Sequence, residues 1–144
     1  MDWEQYREYM NLGKVRRRMR EIEAAQRALY GRMEALLDEF RTTFARSRPW
    51  EIHPYIHKRG EGMRHWTWRL KGYRGQGQNY VHLLDERALP ILKASPPAVR
   101  EIWLRLDREG RAVSLQYNRL AYELRWLRIQ EGYLVEWKRL MNRT

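Results

Sequence analysis

The sequence contains no cysteine, only two phenylalanines and no long apolar run. The absence of cysteine excludes a disulfide framework, thiolate zinc sites, iron–sulfur clusters and a cysteine nucleophile. No apolar run approaches the roughly 18–20 residues that cross a bilayer, and the first residues lack the cationic and then apolar plan of a signal peptide. We therefore expect a cytoplasmic protein that makes no contact with a membrane.

Catalytic motifs are also missing. The sequence has no nucleophile elbow, Walker loop, dinucleotide fingerprint or zinc-protease helix motif. Its four histidines, at positions 53, 57, 65 and 82, have too few carboxylates nearby for a complete metal site. Acidic residues alternate with arginines along the predicted helices, which is typical of solvated i,i+4 pairs. We predict that the protein is not an enzyme and uses no cofactor and no metal.

Positive charge is in large excess and is unevenly distributed. The 144 residues include 29 Lys and Arg against 18 acidic residues, which gives a formal charge of +11 and an isoelectric point near 10.3. Residues 46–74 hold eight basic and two acidic residues, whereas residues 1–45 hold nine and eight. Such a charge on a short chain favours a polyanionic partner, and the clustering points to the middle of the chain as its binding region.

Two long helices are predicted at the ends of the chain. The first covers residues 2–46, starts at a capping box at Asp2 and is expected to break at Gly13; the second covers residues 96–142. Their apolar residues alternate at spacings of four and three, which is the period of a coiled-coil seam. The seam residues are Val15, Met19, Ile22, Gln26, Leu29, Met33, Leu36 and Phe40 in the first helix, and Val99, Trp103, Leu106, Gly110, Val113, Tyr117, Leu120, Leu124 and Leu127 in the second.

The apolar stripe of the second helix broadens beyond Leu127. We expect it to drift to Ile129, Tyr133, Trp137 and Leu140, so that this end of the helix becomes more aromatic. The aromatic residues either pack in the seam or form a docking surface for another protein, since Trp and Tyr dominate interface hot spots. We expect no internal repeat in the chain.

A basic β-meander is predicted between the helices, over residues 49–84. Alternating residues in the second strand place Trp66, Trp68 and Leu70 on one face, which is expected to pack on the helices. Pro54 favours an edge position for the first strand. The predicted strands are residues 50–57, 63–73 and 79–84, the turns are residues 58–62 and 74–78, and a short helix interrupted by Pro90 is expected at residues 86–93.

These elements predict an α+β fold in a single domain, residues 1–144. Two long helices form an antiparallel helical hairpin or coiled coil, and the small three-stranded antiparallel sheet is inserted between them. The two seams pair with each other in one chain or with a copy in a homodimer, and the sequence leaves both arrangements open.

The predicted sheet carries the candidate nucleic-acid site. Cations bind phosphates, flat rings stack on bases, and a ribbon of two or three strands fits a duplex major groove. For the sheet, the alternative is that this face is merely solvated. For the basic run of the first helix, residues 14–20, the alternative is that its arginines pair with glutamates of the opposing helix. The candidate binding residues are Tyr55, Lys58, Arg59, Arg64, His65, Arg69, Lys71, Tyr73 and Arg74 in the sheet, with Arg16, Arg17 and Arg20 in the first helix.

The sequence thus predicts a non-enzymatic protein that binds DNA or RNA through an Arg- and aromatic-rich sheet on a coiled-coil scaffold. An accessory protein of a mobile element or phage fits this description. The alternative is a structural or adaptor subunit of a larger protein or ribonucleoprotein assembly, whose long helices bind partner proteins. The expected partners are therefore nucleic acid and, through the helices, a second copy or another protein.

Overall fold

The computed structural model describes residues 3–60, 62–71 and 80–142 of the chain. The protein is mostly helical, with a small three-stranded antiparallel sheet between helices, as predicted. The helices are α1 (Trp3–Arg7), α2 (Leu12–Thr43), α3 (Leu89–Ala94) and α4 (Pro97–Met141), the strands are β1 (Ile52–Arg59), β2 (Met63–Leu70) and β3 (Tyr80–Val81), and 3-10 turns cover Glu8–Met10 and Ala45–Ser47. In these ranges, no helix combines the length and the apolar character that a membrane span requires.

The predicted first helix, residues 2–46, is divided at Asn11 and not at Gly13. Asn11 has an extended backbone, and its Oδ1 atom accepts a hydrogen bond of 3.1 Å from the backbone N–H of Lys14. This is the bond of a helix N-cap, and asparagine is among the best capping residues. Gly13 therefore lies in the first turn of α2, while Asp2 of the predicted capping box lies outside the described residues.

The predicted second long helix, α4, is continuous through Gly110. Gly110 is buried beneath the indole of Trp66, and a Cβ atom at this position would lie 2.1 Å from Trp66 Cδ2. The close approach of the ring explains why glycine stands here, and its presence in the helix introduces no break.

Contacts divide the chain into two compact units, each with its own core. The sheet unit comprises Leu29–Asn118, and the terminal unit comprises Met1–Ala28 with Arg119–Thr144. Each of the two long helices contributes one part to the sheet unit and the other part to the terminal unit.

The core of the sheet unit joins one face of the sheet to α2 and α4. The ring of Phe40 lies 5.9 Å from that of Trp68 and 6.4 Å from that of Trp103, measured between centroids. Trp68 Nε1 donates a hydrogen bond of 2.8 Å to Asp107, so the polar atom of this buried ring is satisfied. The predicted seam residues buried in this unit are Met33, Leu36, Phe40, Trp103, Leu106, Gly110 and Val113.

The core of the terminal unit is smaller. Val15 and Ile22 of α2 are buried together with Leu124, Leu127 and Leu134 of α4. All but Leu134 belong to the predicted seams. The seams therefore do form the buried faces of both helices in this unit.

The expected drift of the apolar stripe beyond Leu127 is wrong. Leu127 and Leu134 are one heptad apart and both are buried, so the inward face keeps its 3.5-residue period. Ile129, Tyr133, Trp137 and Leu140 are exposed instead.

The sheet has the order β1-β2-β3, so β1 is an edge strand, as Pro54 predicts. In β2, Trp66, Trp68 and Leu70 are buried, which confirms the predicted inner face. Gly60 and Gly62 of the β1–β2 turn have positive φ angles, a conformation that favours glycine.

The third strand is shorter than predicted, Tyr80–Val81 in place of residues 79–84. In the observed register, a β3 that continued to residue 84 would pair with residues 65–67 of β2, but side chains of α4 occupy that edge. Ser114 Oγ accepts the N–H of Trp66 at 3.1 Å and donates to the carbonyl of Arg64 at 2.7 Å. Asn118 accepts the N–H of Arg64 at 2.8 Å and donates to its carbonyl at 3.0 Å. The backbone groups that would hold β3 are thus satisfied by the helix.

The second strand and the short helix also differ from their predicted bounds. β2 ends at Leu70 and not at residue 73. The short helix is Leu89–Ala94 and not residues 86–93. Pro90 does not interrupt this helix, because it lies in the first turn, where a missing N–H is tolerated.

Candidate nucleic-acid interface

The face of the sheet opposite the core is defined by alternation along the strands. Antiparallel pairing brings His53 opposite Arg69, His57 opposite His65, and Arg69 opposite Tyr80. We call this surface, with Tyr55, Thr67 and Arg59 of the same alternation, the outer face. It gathers His65, Arg69, Tyr55 and Arg59 of the predicted site on one side of the sheet.

Aromatic rings form a platform on the outer face. The rings of Tyr55 and Tyr80 are stacked, with centroids 5.4 Å apart and planes at 26°. His57 contacts Tyr80 edge-on at 4.2 Å, and the guanidinium of Arg69 lies 5.8 Å from the centre of the Tyr55 ring. Cation–π and stacking contacts of this kind fix the orientation of the rings before any ligand arrives.

Within the part of the chain that the structure describes, the cations of the sheet have no acidic partner. Residues 52–60 and 62–71 contain no acidic residue, so the strands have no carboxylate of their own. Among the described residues, no carboxylate lies within 4.0 Å of the five strand and turn cations, which are Lys58, Arg59, Arg64, Arg69 and Lys71. By contrast, Arg105 of α4 is paired with Glu39 and Glu109. The sheet therefore concentrates uncompensated positive charge.

Two of these cations do not lie on the outer face. Lys58 and Arg64 are directly opposite each other in the β1–β2 register and share the alternation of Trp66. Arg64 is half-buried, and its Nη1 atom donates a 2.8 Å hydrogen bond to the Met63 carbonyl. They lie beside the β1–β2 turn, so the predicted site is split between two sides of the sheet.

An open pocket of about 660 Å³ lies beside the outer face, between the sheet and α4 in the sheet unit. A pocket of this size is in the range that binds small molecules and single nucleotides. Its lining is rich in basic and hydrogen-bonding groups, and the acidic side chain among the described lining residues, Asp85, is engaged by Arg87 at 3.2 Å. The polar lining residues include His57, His65, His82, Arg59, Arg111, Thr67 and Asn118.

The nitrogen atoms of the pocket residues differ in their hydrogen bonding. His57 Nδ1 and Trp66 Nε1 are buried and have no hydrogen-bond partner within the described part of the chain. Asn118 Nδ2, which also bonds the Arg64 carbonyl, lies 3.4 Å from His65 Nδ1. Because an amide N–H can only donate, this contact is a hydrogen bond in the tautomer that has no proton on Nδ1.

Histidine protonation is suppressed in this region. Burial, together with Arg59 and His57, lowers the pKa of His65. Burial, together with Arg69 and Arg41, lowers the pKa of His53. Both imidazoles are therefore mostly neutral near pH 7, and an approaching anion would favour their protonated forms.

The basic run of the first helix lies in the terminal unit. Arg16 Nε is 3.0 Å from Glu131, and Arg18 forms two hydrogen bonds of 2.9 Å with Glu123. Pairing with glutamates of the opposing helix, the alternative interpretation, thus accounts for these two arginines. Arg17 and Arg20 are exposed, and no described carboxylate pairs with them.

The remaining predicted site residues, Tyr73 and Arg74, lie outside the described residues, as does the loop 74–78. Sequence reasoning missed Tyr80, although its place opposite Arg69 could be found by aligning the third strand with the second. It also missed Ser114 and Asn118, because nothing local in α4 signals a contact with a strand about fifty residues earlier. No group of three or more His, Asp or Glu side chains with metal-binding spacing occurs in residues 3–60, 62–71 and 80–142.

The chain matches no protein-family model, no curated protein and no solved structure. The functional inference therefore depends on the chemistry of the outer face and its pocket.

Proposed function

We propose that this protein is a non-enzymatic nucleic-acid-binding protein that uses the outer face of the sheet and the adjoining pocket. The observation that carries the proposal is the charge of the two long strands. They hold four cations and three histidines with no acidic residue, and Lys71 follows directly after β2. Among the described residues, none of these five cations has a carboxylate partner. A polyanion supplies the missing counter-charge.

Each part of the outer face has a role in this proposal. Arg59, Arg69 and Lys71 hold phosphates, because they are exposed and unpaired within the described residues. Tyr55 and Tyr80 offer ring faces for stacking, which is tolerant of base identity. The proposed site therefore combines a charged track with an aromatic platform.

The pocket favours single-stranded nucleic acid over duplex. A base that enters a pocket of about 660 Å³ must be unstacked and unpaired, which is the state of bases in single strands and loops. The imidazole of His65, which lines the pocket, would then meet a hydrogen-bonding edge of the base. We therefore expect single strands to bind more tightly than a duplex of the same sequence.

The helices form the scaffold of this site in our proposal. In the terminal unit, Arg16 of α2 pairs with Glu131 of α4 and Arg18 pairs with Glu123, so the two helices run antiparallel within that unit. These contacts support an antiparallel coiled coil of α2 and α4 within one chain. In the sheet unit, the helices pack on the inner face of the sheet, so the outer face is left uncovered.

Fluorescence anisotropy with labelled single-stranded and duplex oligonucleotides tests the proposal. Affinity is measured over about 50–300 mM salt for the wild type and for the variant Arg59→Ala/Arg69→Ala/Lys71→Ala. Because each lost phosphate contact removes about 0.7–0.9 from the slope of log K against log salt, the slope should become shallower by about 2–3.

A matched variant controls for the loss of three positive charges. Arg32, Lys93 and Arg108 are exposed cations of the same sheet unit that do not line the pocket. Their replacement by alanine should leave the slope nearly unchanged. An equal loss in both variants would show that only net charge matters, and no salt-dependent binding by the wild type would favour the structural or adaptor role.

A further inference from the structure

The side of α4 that faces away from the core of the terminal unit carries a continuous row of large apolar side chains. Each of them is 54–61 % exposed. The rings of Tyr122 and Trp126 contact each other edge-on, with centroids 6.4 Å apart. We call this row the outer stripe, and its members are Tyr122, Trp126, Ile129, Tyr133, Trp137 and Leu140.

The expectation that the chain has no internal repeat is wrong, because the outer stripe repeats after eleven residues. Tyr122, Trp126 and Ile129 recur as Tyr133, Trp137 and Leu140, so that a tyrosine, a tryptophan and a branched aliphatic residue stand at the same three places twice. Eleven residues make three turns at about 3.67 residues per turn, close to the α-helical value, so the repeated residues stay on one face. This period differs from the 3.5-residue period of the buried seam, which shows that α4 carries two separate apolar faces.

The area of the outer stripe suits a dimer interface. An aromatic side chain that becomes fully covered buries about 150–250 Å². With somewhat more than half of each ring exposed, the four rings present about 350–580 Å², and the two aliphatic side chains add to this. The rings alone match the largest apolar patch of a typical monomer, about 300–600 Å², and the whole stripe approaches the roughly 800 Å² that each partner contributes to a stable interface.

The charges beside the outer stripe favour one orientation of a partner helix, although Glu136 also forms an exposed ion pair of 3.2 Å with Arg139 of its own helix. Arg125 and Glu136 flank the stripe on the same side and lie at nearly equal distances from its midpoint, near residue 131. In an antiparallel pair of identical helices, residues on the same flank meet across the two-fold axis, so Arg125 of one copy meets Glu136 of the other. A parallel pair would not bring these opposite charges together.

We propose that the outer stripe binds the outer stripe of a second copy of this chain, with the two α4 helices antiparallel about a two-fold axis. The repeat makes the stripe self-complementary, its area is that of a dimer interface, and its flanking charges match in that orientation. The proposal does not depend on nucleic-acid binding and is tested without nucleic acid.

Light scattering after size-exclusion chromatography, with the full chain loaded at about 5–500 μM, measures the mass. We expect it to rise toward twice the monomer mass of 17.8 kDa. Ile129→Glu should weaken the dimer by at least about 30-fold, because the change occurs twice across the axis at a central position. Leu84→Glu, at a leucine outside the stripe that is 68 % exposed, should leave the dimer unchanged.

A charge-swap series tests the orientation. Arg125→Glu and Glu136→Arg should each weaken the dimer, and the two changes together should restore it, because the opposite charges meet again in reversed order. A monomer at every concentration, a dimer that Ile129→Glu leaves intact, or a double variant no tighter than the single variants would overturn the proposal. Flotation of a monomer with vesicles of anionic lipid would also overturn it, in favour of a membrane-surface helix.

Discussion

Replacing Gly110 by alanine should destabilise the protein, although alanine is the better helix former. A Cβ atom at this position would lie 2.1, 2.3 and 2.6 Å from three ring atoms of Trp66. Ordinary contact between carbon atoms is about 3.5–4.0 Å, so the indole must retreat by more than about 1 Å. Trp66 is buried, its ring packs edge-on against Trp68, and its backbone N–H is held by Ser114.

Two opposing terms set the size of the effect. Overpacking a close-packed core costs about 1–3 kcal/mol and sometimes more, whereas exchanging glycine for alanine inside a helix gains about 0.5–1 kcal/mol. Because the clash involves a rigid, buried ring, we expect the overpacking term to lie at the upper end of its range. The net loss in the free energy of unfolding should therefore be about 2–2.5 kcal/mol.

Urea unfolding monitored by tryptophan fluorescence measures this change. Gly31→Ala is the matched control, because Gly31 is exposed in α2 and a Cβ there would meet nothing within 4 Å. It should stabilise the protein by about 0.5–1 kcal/mol. In a Trp66→Leu background, the cost of Gly110→Ala should largely disappear. Equal stabilisation by both glycine changes would refute the packing that places Trp66 over Gly110.

Of three further predictions, one concerns the β2 edge and two concern the histidines. Ser114→Ala should lower the free energy of unfolding, measured in urea, by about 1–3 kcal/mol. The change leaves the buried N–H of Trp66 without its partner and removes a hydrogen bond from the Arg64 carbonyl. A loss below about 0.5 kcal/mol, as for ordinary surface substitutions, would contradict that arrangement. Because the pKa values of His53 and His65 are lowered in the free protein, stability should fall as the pH drops through the unfolded value of about 6.5. Phosphates favour the protonated rings, so nucleic-acid affinity at constant ionic strength should rise between about pH 7.5 and pH 6, and a flat profile would remove these histidines from the site.

Local periodicity was sufficient for much of the fold. The four-and-three spacing of α2 and α4 predicts their buried faces because it depends only on helical geometry. The alternation of Trp66, Trp68 and Leu70 likewise predicts the inner face of β2. Composition also indicates where positive charge gathers, since no acidic residue occurs within the two long strands.

Long-range contacts account for the failures. The length of β3 depends on Ser114 and Asn118, which lie in a distant helix and satisfy the edge of β2. The pocket depends on the same contacts, so the alternation of the strands alone could not reveal it. The prediction beyond Leu127 failed because α4 carries two apolar faces with different periods. The prediction continued the buried seam into the exposed face that begins at Tyr122.

Photo-cross-linking of a bound single-stranded oligonucleotide, followed by peptide mapping, tests the central claim most directly. If the outer face is the site, cross-links should fall on β1 and β2 and on Tyr80, and the Arg59→Ala/Arg69→Ala/Lys71→Ala variant should lose them. Cross-links confined to the basic run at Arg17 and Arg20, with the sheet unlabelled, would contradict the account.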